Sequence, residues 1–112
     1  MSDKPTRQAT LETAIELTCG DRNDAYGPPI DNLTDCAQMW TQYLKTKYGR
    51  TTLKQPPWSL QFTMDAEDVA WMMSLVKMTR SFQANYHGDN YVDSAAYSAI
   101  AGECRKTLDE SE

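Results

Sequence analysis

Asp89, Asp93 and Tyr97 stand at i, i+4 and i+8. On a helix that spacing puts both carboxylates and the phenol on one face. Two like charges one turn apart repel, and a divalent cation between them reverses the sign. Mg²⁺ suits such a pair, because it binds through one or two carboxylates, several waters and substrate phosphates. The plain alternative makes Asp89 an N-cap and Asp93 an ion-paired or solvated surface residue. Glu67 and Asp68 open a second acidic position, where they either complement a helix N-terminus or add Asp68 as a further metal ligand. Lys77 and Arg80 follow three residues apart. Three roles are open to them: covering the core edge with their stems, pairing with Asp89 or Asp93, or holding phosphate. In the stretch Asp21–Gly27, Arg22 and Tyr26 could reach a ligand, the ring stacking on a base, or Tyr26-Gly27 could be a plain turn. Asp21 and Asn32 could cap the flanking helices.

The elements that must position these residues read as helices. Only three Val and three Ile occur, while helix formers are common, so an all-α fold of four main helices is expected. The first covers about Thr10–Cys19, with Thr10 as cap, a stripe of Leu11, Ala14 and Ile15, and Gly20 as its stop. Tyr26-Gly27-Pro28-Pro29 interrupts the chain. The second runs from Ile30 to Tyr48 on a stripe of Leu33, Cys36, Ala37, Trp40, Tyr43 and Leu44, and Gly49 ends it. Residues 49–62, with Pro56-Pro57 at their centre, read as a long loop. The third is capped by Thr63 or Asp65 and carries Val69, Met72, Met73 and Val76 as its core stripe, with Phe82 near the end. The fourth starts near Asp89 and reaches about Leu108, with Val92, Ala95, Ala96, Ala99 and Ile100 facing a close neighbour. Trp71 and Met78 fall off the main stripe of the third helix and suit a partner subunit, so a dimer is expected.

The chain has 112 residues, one domain's worth, with residues 1–9 and 109–112 expected as flexible ends. Eleven basic and sixteen acidic residues give a net charge of −5, which argues against a general nucleic-acid module. The charge is uneven. Residues 1–64 hold seven of each sign, and residues 65–112 carry the whole excess; residues 36–64 hold Lys45, Lys47, Arg50 and Lys54 and no acid. No apolar run is long enough for a membrane span, and the polar N-terminus reads as cytoplasmic. Cys19, Cys36 and Cys104 are an odd count at wide spacing, and with His87 the single histidine there is no zinc cluster, so reduced thiols are expected. One histidine also leaves no Ser/His/Asp triad, and no P-loop or Gly-rich dinucleotide motif occurs.

Taken in order, D-R-x-x-x-Y-G (Asp21 to Gly27), Asn32, Trp40, E-D-V-A-x-M-M-x-x-x-K-x-x-R (Glu67 to Arg80) and D-N-x-V-D-x-A-x-Y (Asp89 to Tyr97) resemble a small phage and prophage family of unknown function. The match spans about residues 10–103 and departs from the pattern in the 49–62 segment. That family is distantly similar to the all-α MazG-like and dimeric dUTPase-type nucleotide pyrophosphohydrolases. Their usual acidic motif is absent in its own form, and Glu67-Asp68 with Asp89 and Asp93 stand in for it. The resemblance implies a Mg²⁺-dependent nucleotide phosphohydrolase of a phage-infected or lysogenic bacterium. Asp68, Asp89 and Asp93 would bind metal, Lys77 and Arg80 phosphate, and Arg22, Tyr26, Asn32 and Tyr97 the rest of the substrate. The rival reading is a non-catalytic interaction protein that binds a host factor.

Overall fold

The computed structural model describes residues 4–20, 27–51, 62–83 and 85–111. Four helices occupy them, and there is no strand among the described residues: α1 (Thr6–Cys19), α2 (Pro29–Thr51), α3 (Ala66–Arg80) and α4 (Gly88–Glu110). The all-α expectation holds. Arg22, Tyr26 and most of the expected 49–62 loop lie outside the described residues.

The central contact is α3 on α4; α1 packs on α4 from another side, and α2 packs mainly on α3. Small side chains allow the close approach. Ala66, Val69, Ala70 and Ser74 form the buried face of α3, and Val92, Ala96, Ala101 and Cys104 that of α4. Ser74 pins the pair: its Oγ lies 2.8 Å from Ser94 Oγ and 3.2 Å from the Ser94 carbonyl oxygen, so a buried hydroxyl is satisfied across the interface. Ala14 of α1 joins Val92 and Ala96 in a small cluster with Ala95 against it. Thr41 ties α2 to the start of α3. Its Oγ1 donates to the Ala37 carbonyl at 2.8 Å and accepts the Met64 N–H at 2.9 Å.

Several local expectations are corrected. Helix α1 begins at Thr6, behind Pro5, and Thr10 bonds back to the Thr6 carbonyl instead of capping. Leu11 and Ile15 are exposed, and only Ala14 of that stripe is buried. The reason is that α1 meets α4 through Ala14 and leaves its Leu11/Ile15 flank outside. Gly20 ends α1 without a left-handed turn, at φ −98°. A glycine is needed there because a Cβ would stand 2.6 Å from the Glu16 carbonyl oxygen.

Pro29 is the first residue of α2, a position where its missing N–H costs nothing. Gly27 before it adopts φ 77°, which glycine tolerates without strain. Gly49 does not end α2, which continues to Thr51. Tyr43, expected in the α2 stripe, is exposed, with Lys47 Nζ 5.7 Å from its ring centroid. Met72 and Val76 are exposed and so is Phe82, while Ala66, Ala70 and Ser74 take the inner positions of α3. That helix is apolar all round, so periodicity alone admits either face. The N-cap of α4 is His87, which makes no side-chain cap bond, so Asp89 sits in the first turn and is not the cap. Ala99 is exposed, and Ile100 is half-buried.

Candidate functional site

The last turn of α3 and the middle of α4 meet the start of α2 and the end of α1 around a cleft of about 450 Å³. That volume falls in the range of small-molecule sites. Its polar lining is Thr18, Asn32, Lys77, Asp93 and Tyr97, and its apolar lining includes Leu17, Leu33, Ala96 and Ile100. Gly27 and Pro29 form part of the wall. The N-terminus of the 23-residue α2 therefore opens on the cleft and contributes a partial positive charge there.

Each charged group has an assignable position. Lys77 Nζ lies 3.1 Å from Asp93 Oδ2, with the side chains only 17% and 31% exposed. Of the three roles open to Lys77, the ion pair to Asp93 is present in the structure, and the pair stands in the cleft wall. Tyr97 follows Asp93 by one turn of α4 and is half-buried in the same cleft. Asn32, in the first turn of α2, lines the same cleft.

Asp68 is elsewhere. With Asp65 it forms a reciprocal capping box at the start of α3: the Asp65 N–H donates to Asp68 Oδ2 at 2.9 Å and the Asp68 N–H to Asp65 Oδ1 at 3.0 Å. Lys77 lies nine helical steps further on, about 14 Å along the axis. Glu67 beside it accepts from Trp71 Nε1 at 3.2 Å and from Arg105 at 3.3 Å. Asp89 is exposed, one turn before Asp93. Asp68, Asp89 and Asp93 thus do not gather, and no group of three or more His, Cys, Asp or Glu able to hold a metal occurs among the described residues. Arg80 is exposed in the last turn of α3.

Of the seven sequence-selected residues that are described, four therefore converge: Asn32, Lys77, Asp93 and Tyr97. Sequence reading missed the apolar half of the cleft. Leu17 carries one hint, since it lies off the α1 stripe, and nothing in the sequence marks Thr18 or Ile100 as lining a cavity.

All three cysteines are free. Burial pushes the Cys104 thiol above its ordinary range, helped by the nearby negative charges of Glu103, Asp65 and Glu67, and burial alone raises Cys36. Cys19 is exposed. No helix among the described residues is long and apolar enough to cross a membrane.

Residues 9–105 match the family model described as Domain of unknown function (DUF6378), and the chain belongs to that family. It is 32% identical over 100 residues to the Gene 55 protein of Mycobacterium phage L5, covering 89% of this chain and 54% of that protein. It is 31% identical over 90 residues to the Gene 55 protein of Mycobacterium phage D29, covering 80% and 49%. The chain thus spans about half the length of these curated relatives, and the family has phage members of uncharacterised function. No solved structure matches.

Proposed function

We propose that the chain is a phage-encoded nucleotide-binding protein whose cleft takes a nucleoside phosphate. The observation that carries this reading is the convergence of Asn32, Lys77, Asp93 and Tyr97 in one cavity of ligand size. Lys77 and the N-terminus of α2 supply positive potential for phosphate oxygens. Asn32 offers an amide to base or sugar, and the Tyr97 ring a flat surface. Arg22 and Tyr26 precede Gly27, which lines the cleft, and their types suit the remaining contacts.

Mg²⁺-dependent hydrolysis, as the resemblance to MazG-like enzymes implies, is the stronger form of this proposal. The full carboxylate set does not fit it, because Asp68 is committed to the α3 cap. What remains for a cation is Asp93 with Asp89. Two carboxylates are enough for Mg²⁺ when phosphate and water complete its shell, but the ion would compete with Lys77 for Asp93. Binding is therefore the reading that the geometry supports best.

The test is a thermal-shift and calorimetric panel of nucleoside mono-, di- and triphosphates, each with and without Mg²⁺. A ligand at one hundred times its Kd stabilises the fold by about 2.7 kcal/mol, which is readily seen. Binding that is lost in Lys77→Ala and Tyr97→Ala supports the proposal. No shift with any nucleotide overturns it and favours the interaction-protein reading. Phosphate release that depends on Mg²⁺ and on Asp93 establishes the enzymatic form.

A further inference from the structure

Helix α3 has an outer face that no other helix among the described residues covers. Trp71, Leu75 and Met78 follow one another at +4 and +3, the spacing of a coiled-coil seam, and Phe82 stands four residues on in the turn that follows the helix. They are 46%, 54%, 49% and 74% exposed, and Met72 beside them is also exposed. The inner face, with Ala66, Val69, Ala70 and Ser74, is already buried. A helix that is apolar on all sides belongs in an interior. Among the described residues this one is covered on one side only.

We infer that a second copy of this chain covers this seam, α3 against α3 about a two-fold axis near Leu75. Area supports that occupant. With about half of five large side chains exposed, the seam presents roughly 550 Å² per chain, or about 1,100 Å² for two, just above the roughly 1,000 Å² that a biological interface needs. The composition is right as well, since Trp, Met and Phe are enriched at interface cores and charged residues depleted. A seam is self-complementary under a two-fold axis, which is what an isologous contact requires. The helix ends choose the direction. An antiparallel pair opposes the two helix dipoles, whereas a parallel pair sets like end beside like.

The seam lies on the side of α3 away from Lys77, so this inference stands apart from the ligand reading. The full chain is examined by sedimentation velocity and light scattering between about 5 and 200 µM. The expected mass is about 25 kDa, twice the 12.7 kDa of one chain. Leu75→Glu with Met78→Glu is expected to give a helical monomer. A milder probe guards against loss of folding: Leu75→Cys in a Cys19→Ser background should oxidise to a covalent dimer, whereas Glu103→Cys in that background should not. A monomeric wild-type chain overturns the inference, whether the seam is then covered by another segment or by a different partner. A dimer that survives the glutamate pair, or a Leu75→Cys chain that does not cross-link faster than the Glu103→Cys control, overturns it too.

Discussion

Separating Lys77 from Asp93 is the most direct test of how the cleft is built. The two side chains meet at 3.1 Å and are mostly screened from water. Fully exposed pairs contribute about 0.2–1 kcal/mol, and breaking a fully buried pair costs about 3–5 kcal/mol. The Lys77–Asp93 pair stands between these limits. Lys77→Met is expected to destabilise by about 1.5 kcal/mol, because it keeps the stem and leaves Asp93 without its partner. Asp93→Asn should cost a similar amount by stranding the ammonium. The double variant should cost less than the two together, with a coupling energy of about 1 kcal/mol. Urea denaturation followed by circular dichroism at 222 nm measures all four corners of the cycle. Repeating it in 0.5 M NaCl should leave most of the coupling, since partly buried pairs are weakly screened. Additivity within about 0.3 kcal/mol would refute the reasoning, for the two charges would then act independently.

Two other outcomes follow from the same structure. Asp68→Ala removes one arm of the capping box and should cost about 1 kcal/mol in the same denaturation assay, with nucleotide binding unchanged; lost binding at unchanged stability would return Asp68 to the site. Alkylation by iodoacetamide should proceed rapidly at exposed Cys19 and slowly at buried Cys104. The fold holds the Cys36 and Cys104 thiols neutral beyond the pH at which the unfolded chain ionises. Stability from these thiols is therefore complete below about pH 8.5 and declines as the pH rises above it, which a Tm series from pH 7 to 10 reads directly.

Much of the architecture was legible in order and type of residue. Few β-branched residues, the helical spacing of Leu33 to Leu44, and the Asp65 cap all marked helices, because these are local matters of propensity and hydrogen bonding. The pairing of Lys77 with Asp93 was among the three roles its charge allowed. Face choice was not legible. Helix α3 carries apolar residues on both sides, so Met72 and Val76 seemed as good a core stripe as Ala66, Ala70 and Ser74. The small set won because it admits close approach to α4, with a serine hydroxyl satisfied across the gap. In α1 the same kind of choice left Leu11 and Ile15 outside and turned Leu17 and Thr18 to the cleft.

The candidate site divides along the same line. Local sequence decided that Asp93 and Tyr97 share a helix face, since a 3.6-residue period requires it. Only packing decided that Lys77 and Asn32, from two other helices, stand in the same cavity and that Asp68, grouped with the acidic residues by type alone, does not. Charge and spacing are properties of one segment. Convergence depends on how helices cross, and that is set by which small side chains let them approach.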